Sequence, residues 1–407
     1  MKTKYKIVHE LKNVKLILGN GYDLQCHLKT SYADYFLYDE RKNNILREWI
    51  KEFEYKSKDY LNFNSNNRRE FWVNLKNFDY YNVWDVLFYI ISSENSDISN
   101  WKWCDIEETI AEHLSGKDIN LNCELIYKML KGEQFFNQLG TKAYVIAGFI
   151  YKKNNEKSFN NKEDFYYFLL SQLKKFESNF GKYINSQHFA YSNNNIVSSN
   201  ENFKIESRKT LEELCTLENL TSIDTFNYDT PECREIESII HNINGTITWP
   251  IFGIDSDTFP ASDPRFIFTK TSRRLEYGMF HDEVEPLFDY ENVIIFGCSL
   301  SKADYNYFFY VFDKLDISNI KNSSKIIFAY SVYDKSKRDI IHKKLQKKVS
   351  MLFQEYSIYK GNSIYPARLL ELLLEQQKII LFEIPFDNTI ESTYFNPIIN
   401  DENNTTN

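Results

Sequence analysis

The feature that most constrains this chain is Val14-Lys15-Leu16-Ile17-Leu18-Gly19-Asn20-Gly21-Tyr22-Asp23. An apolar run of strand length ends in Gly-Asn-Gly. A helix is expected after it, opened by Thr30-Ser31 with Asp34 three residues after Ser31, a start that resembles a capping box. Glycine has no Cβ, so such a turn can take positive φ and come close to a ligand. Amides near a helix N-terminus favour anions such as a diphosphate. Only two glycines stand in the turn, and Leu24 occupies the place of the third in a full dinucleotide fingerprint. Taken alone, the stretch reads more simply as a surface turn between a strand and a helix, and only later motifs displace that reading.

A chain of 407 residues can bury a sizeable core in one large domain or two. Hydrophobic residues make up 43%, charged 26% and aromatic 16%, which describes a globular protein unusually rich in Phe and Tyr. The net charge of -8, with acidic residues mixed among the Lys- and Asn-rich patches, means that nucleic acid is not expected as a partner. Nothing approaches 18 uninterrupted apolar residues, so no membrane span is expected. Residues Met1 to Lys12 are polar and lack the apolar core of a signal peptide, which makes the cytoplasm the expected location. The six cysteines are scattered without a C-x-x-C pair, so neither a disulfide framework nor a zinc site is expected, and no metal is invoked.

Residues 14–18 form the first expected strand. From Ser31 to about 217 the pattern is helical, with apolar residues at three- and four-residue spacing in Tyr32-Tyr35-Phe36, Trp72-Leu75-Phe78 and Phe165-Phe168-Leu169-Leu173-Phe176-Phe180. Such stripes read as core. Asn-rich breaks near 63–67, 153–161 and 192–202 read as loops. Strand signals return at Thr221–Phe226, Ile236–Ile243, Ile247–Phe252 and Val293–Phe296, the last a continuous apolar run of the kind found in a central parallel strand. A helix is expected over Ser301–Leu315, a strand over Lys325–Tyr330, a Lys-rich helix to about 348, a helix near 366–376 and a strand near 378–383. The tail from about 391 is read as flexible.

The expected fold is therefore α/β, a Rossmann-like parallel sheet with a large helical insertion after the first strand-turn-helix. Residues 1–40 and 218–390 would form the sheet domain and 41–217 the insertion. Ligands of such sheets bind beyond the strand C-terminal ends. Gly19-Asn20-Gly21 follows one strand, Asn227-Tyr228-Asp229 another and Gly297-Cys298-Ser299-Leu300 a third. The simpler readings are an Asx-type turn for the second and a plain strand-to-helix turn for the third.

These motifs carry a resemblance. Leu18-Gly19-Asn20-Gly21-Tyr22-Asp23-Leu24, followed by Lys29-Thr30-Ser31-Tyr32, resembles the opening of the AbiH family of phage abortive-infection proteins. Trp103-Cys104-Asp105-Ile106-Glu107 resembles its W-x-D-hydrophobic-E segment. Thr225-Phe226-Asn227-Tyr228-Asp229-Thr230 resembles its F-N-Y-[TD]-T segment. Ile295-Phe296-Gly297-Cys298-Ser299-Leu300, with Asp304, resembles its F-G-x-S-L…D segment. That family is in turn similar to the sirtuin-related (SIR2-like) superfamily, whose members bind NAD in the crevice of a Rossmann-like sheet and in defence systems often hydrolyse it. The resemblance implies that Gly19, Asn20, Gly21, Asp23, Thr225, Gly245, Gly297, Cys298 and Ser299 contact the cofactor. It implies that Asn227, Asp229 and Asn244 sit where the chemistry occurs.

The superfamily's hydrophobic-H-G segment reads here Ile243-Asn244-Gly245, with Asn244 at the usual histidine position. An amide cannot act as a general base near neutral pH, whereas imidazole can. His241 lies three residues earlier, and in extended chain that odd offset puts it on the opposite face. His27 and His281 read as ordinary polar or core histidines. A base is not essential, because cleavage of the nicotinamide–ribose bond gives an oxocarbenium-like centre and a neutral leaving group. Asp105 and Glu107, two apart on a helix, point to different faces and read as structural or supporting.

With no counterpart of a zinc ribbon, protein deacetylation is not expected. What the resemblance implies is an antiphage effector that consumes NAD, acting as a homo-oligomer or with a partner defence protein. A nucleotide sensor without turnover stands as the alternative, and a nuclease-like toxin finds no D-…-E-x-K site in strand context.

Overall fold

The computed structural model describes residues 8–38, 46, 48, 81–94, 103–116, 122–131, 141–155, 157–190, 199–232, 240–280, 289–361 and 366–386. The Trp72-Leu75-Phe78 stripe, His281 and the tail from 391 lie outside them, as do the side chains of Trp103, Cys104 and Asp105.

Strand β1 (Val14–Leu18) is followed by a short helix α1 (Gly21–Gln25) and by α2 (Tyr32–Tyr38). Helices α3 (Val83–Glu94), α4 (Trp103–Ser115), α5 (Cys123–Leu130), α6 (Thr141–Lys153), α7 (Lys162–Ala190) and α8 (Ser199–Leu214) lie between β1 and β2 (Leu220–Thr225). Then come β3 (Ile240–Asn242), a hairpin of β4 (Gly245–Thr246) and β5 (Trp249–Pro250), helix α9 (Lys270–Phe280), β6 (Asn292–Phe296) and α10 (Tyr305–Lys314). Strand β7 (Lys325–Ser331), helices α11 (Arg338–Tyr359) and α12 (Arg368–Glu375), and β8 (Ile379–Ile384) close the order. The main sheet has six parallel strands in the order β3-β2-β1-β6-β7-β8. The chain is thus a Rossmann-like α/β protein with a helical insertion between β1 and β2.

Strands β1 and β6 are almost wholly apolar because both faces are covered, whereas β2 carries Asp224, paired with Lys15 of β1. Leu16, Leu18, Ile294, Phe296, Ile327 and Ala329 face one side, where Tyr22 of α1 and Leu211 and Leu214 of α8 pack on them. Ile17, Val293, Ile295, Ile326 and Phe328 alternate to the other side, under Phe308 and Phe312 of α10 and Leu352 and Phe353 of α11. A separate core fills the insertion, where Phe165, Leu169, Leu173, Phe176 and Phe180 of α7 meet Trp84 and Phe88 of α3. That core also takes Tyr228, Phe252 and Phe268, residues that follow β2.

At the start of α2 the capping box closes as expected. The Asp34 amide donates to Ser31 Oγ (3.1 Å), and the Ser31 amide donates to Asp34 Oδ2 (3.3 Å). Several elements differ from expectation, among them helix α9, in a stretch for which no element was expected. Helix α1 follows the glycine turn at once. Within the stretch 247–252 only Trp249–Pro250 pairs, antiparallel to Gly245–Thr246. The helix expected over 301–315 begins with a 3₁₀ turn at Lys302–Asp304. Helix α11 runs to Tyr359 because Val349, Leu352, Phe353 and Tyr356 prolong its buried stripe at helical spacing.

Candidate functional site at the strand ends

Strands β1, β2 and β6 end level with one another, Leu18 pairing with Thr225 on one side and Phe296 on the other. From β1 the sheet grows through β2 to β3, then resumes at β6 on the other side of β1. The point of reversal is the usual ligand crevice of an open parallel sheet.

The floor of this crevice is backbone pressed on backbone. The Gly19 amide donates to Phe296 O (2.9 Å) and the Gly21 amide to Gly297 O (3.0 Å). A Cβ on Gly19 would lie 2.6 Å from Cys298 Cα, and one on Gly21 would lie 2.5 Å from Gly297 Cα. Gly297 itself has φ +71°. The missing side chains of the turn are thus needed for contact between two loops of the protein. Both amides are already donated, so the glycine turn offers a diphosphate less than its sequence suggests.

Above the floor, Asn227 joins the first two strand ends. Its Nδ2 donates to Asp23 Oδ1 (2.7 Å) and Gly19 O (3.2 Å), and its amide donates to Thr225 Oγ1 (3.0 Å). Asn242 Nδ2 donates to the carbonyls of Asn227 (3.0 Å) and Asp229 (3.2 Å), fixing the turn from β3. Thr30 Oγ1 lies 2.6 Å from Asn20 Oδ1 and 3.0 Å from Asp23 Oδ2; with one proton it serves one acceptor at a time. Burial, then the facing Asp229 carboxylate, pushes the Asp23 carboxyl well above the usual range, and the two acids share a hydrogen bond. Of the two acids it is Asp23 whose burial favours the protonated form.

The roof comes from residues 244–280. Asn244 is buried; its Nδ2 donates to Phe226 O (3.4 Å) and its Oδ1 accepts from Arg274 Nη2 (3.3 Å). Gly245, with φ +82°, belongs to the hairpin, where a Cβ would meet Trp249 O at 2.1 Å. His241 does not share the place of Asn244: its Nδ1 lies 3.9 Å from Asp224 Oδ1 in the sheet. His27 packs on the Phe386 ring.

Two ion clusters support this roof. Lys270 Nζ lies 3.0 Å from Glu107 Oε2 and 2.5 Å from Asp304 Oδ1, with Lys270 and Glu107 both buried. Burial alone would lower the Lys270 ammonium; Asp304 and Glu107 more than offset it and hold it above its usual value. Burial pushes the Glu107 carboxyl up, and Lys270 only partly opposes this. Arg273, also buried, donates from Nη2 to both Glu177 oxygens (3.0 and 2.7 Å), and Glu177 Oε1 accepts the Phe252 amide (2.8 Å). Glu107 and Asp304, from two separate motifs, thus meet through a lysine that no motif contained. Lys270, Arg273 and Arg274 carry no signal in the sequence, because they belong to no motif and their partners lie in distant segments.

At the third strand end, burial pushes the Cys298 thiol up, away from the thiolate form. The Ser299 carbonyl accepts from Lys348 Nζ (2.5 Å), and Leu300 takes φ +50°, a strained value for leucine. Tyr307 donates to Asp224, which also pairs with Lys15 (2.6 Å) inside the sheet. Gly19, Asn227 and Gly297 thus follow the C-terminal ends of three neighbouring strands, while Gly245 lies in the hairpin after β3. A cavity of about 530 Å³ lies elsewhere, between Asn122, Lys162 and Tyr166 of the insertion and Arg265 of the chain after β5. Its charged rim is already paired, Arg265 with Asp263 and Lys162 with Glu124.

Fold and crevice define a Rossmann-like α/β protein with a buried acid–amide unit at the switch point. Compared with protein-family models, curated proteins and solved structures, the chain finds no match.

Proposed function

We propose that the chain is an antiphage effector of the abortive-infection type, resembling the AbiH family, whose crevice binds NAD and cleaves its nicotinamide–ribose bond. The observation that carries this reading is the Asp23–Asn227–Asp229 unit, buried where β1, β2 and β6 end together. In this reaction the bond between nicotinamide and ribose C1′ breaks and its electron pair leaves with neutral nicotinamide. Water adds at C1′ and releases a proton, giving ADP-ribose. The protein has to stabilise positive charge on the ribose, and the Asp229 carboxylate is the group suited to that. Asn227 fixes the geometry of the acid pair, and protonated Asp23 keeps a second negative charge away. No step requires a histidine. Such an effector would act in the cytoplasm, held in check in an oligomer or by a partner protein.

One observation favours a second reading, a nucleotide-sensing subunit without turnover. Asn244 occupies the place of a base and is held between Phe226 O and Arg274. The two readings separate when purified protein is incubated with NAD, alone and with extract from phage-infected cells, and nicotinamide release is followed. Release by the wild type and its loss in Asp229→Asn supports the hydrolase. NAD binding without release in either condition supports the sensor, and absence of both rejects the crevice as a nucleotide site.

A further inference from the structure

We propose that Arg274 is the phosphate-recognising residue of the crevice, so that the anionic part of a nucleotide is held from the roof by a side chain and not from the glycine turn. This rests on the nucleotide-binding reading above. Three observations lead to it. The Gly19 and Gly21 amides, the donors a diphosphate would use in the turn, are spent on Phe296 O and Gly297 O. Arg274, on the second turn of α9, reaches Asn244, which meets Phe226 O just past β2, with Nη2 on Asn244 Oδ1 at a long 3.3 Å. Its Nε is buried and meets no hydrogen-bond acceptor among the described residues.

A guanidinium carries five N–H donors in a planar fork and binds phosphate through two of them at once. A buried donor left unmatched is costly, which makes a charged oxygen at Nε favourable. The charges around Arg274 fit an anion as well. Lys270 beside it pairs with both Glu107 and Asp304, so the acids on this side of Arg274 already have a cation of their own. The ligand class is a nucleotide bearing a diphosphate. A nucleoside without phosphates would lack this contact.

The test is equilibrium binding of ADP and of adenosine to the full chain, as wild type, Arg274→Gln and Arg274→Lys, with inorganic pyrophosphate as competitor. The wild type is expected to bind ADP about ten- to hundredfold more tightly than adenosine, the range for hydrogen bonds to a charged group. Arg274→Gln should bring ADP down to the level of adenosine and leave adenosine unchanged. Arg274→Lys, which keeps the charge without the fork, should fall between. Pyrophosphate should displace ADP from the wild type, a readout that does not depend on any variant folding. An unchanged ADP-to-adenosine ratio in Arg274→Gln overturns the inference, as does failure of pyrophosphate to compete or failure of the wild type to bind ADP. The outcomes are independent of turnover. Phosphate recognition through Arg274 without nicotinamide release removes the hydrolase and keeps the inference; release with an unchanged ratio does the reverse.

Discussion

Asp23 and Asn227 stand 204 positions apart in the sequence and 2.7 Å apart in the fold. The amide is the clasp between the first strand end and the second, because the same Nδ2 also reaches Gly19 O. Replacing Asn227 by Ala leaves the Gly19 carbonyl and a buried carboxyl each short of a donor. The expected loss is about 1–3 kcal/mol of stability. Chemical denaturation would measure it, and an unchanged midpoint would remove Asn227 from its structural role.

The Asp23–Asp229 pair makes stability depend on pH. Asp23 is raised in the folded protein by burial and by Asp229. The native state therefore binds its proton more tightly than the unfolded chain does. Stability is unaffected by this group below the ordinary Asp range and falls as pH climbs from there towards the raised value. Asp23→Asn removes that fall and keeps an oxygen for Asn227. Unfolding midpoints of the two proteins should diverge as pH rises, with the variant gaining. Parallel curves would mean that Asp23 is ionised and unstrained.

Gly21→Ala tests the contact between the loops. The new Cβ would stand 2.5 Å from Gly297 Cα, where only backbone movement can relieve it. A cost of about 1–3 kcal/mol is expected from overpacking alone. Thermal unfolding reads it directly, and a wild-type melting temperature would show that the two loops are not in contact.

Lys270→Met strands Glu107 and Asp304 next to each other without their cation. Breaking a buried pair in this way costs about 3–5 kcal/mol. Adding Glu107→Gln to Lys270→Met should recover part of the loss, since one of the two acids then needs no partner. Additive losses in the double variant would argue against the cluster.

Much of the sheet was legible in the sequence because buried parallel strands advertise themselves. Val293–Phe296 is apolar on both faces, Val14–Leu18 is so but for Lys15, and the strand ends carry glycine or Asn-Tyr-Asp. The use of those glycines was not legible. Gly19 and Gly21 answer Gly297 and Cys298 across more than 270 residues, and local sequence is silent on such a pairing. Helix α1 was hidden because five residues after a turn carry no periodicity. The roof was hidden for a different reason. Lys270, Arg273 and Arg274 look like solvated helix charge until the partners Asp304, Glu107, Glu177 and Asn244 are brought in from four separate segments.

The cluster at Lys270 joins α4 of the insertion to the loop after β6, and so it bridges two apolar cores that otherwise pack separately. Pulling either core away from the other would leave a charge in a dry interior without its counter-ion. Neither part can loosen alone at low cost, and the chain should lose its sheet and its insertion in one cooperative transition.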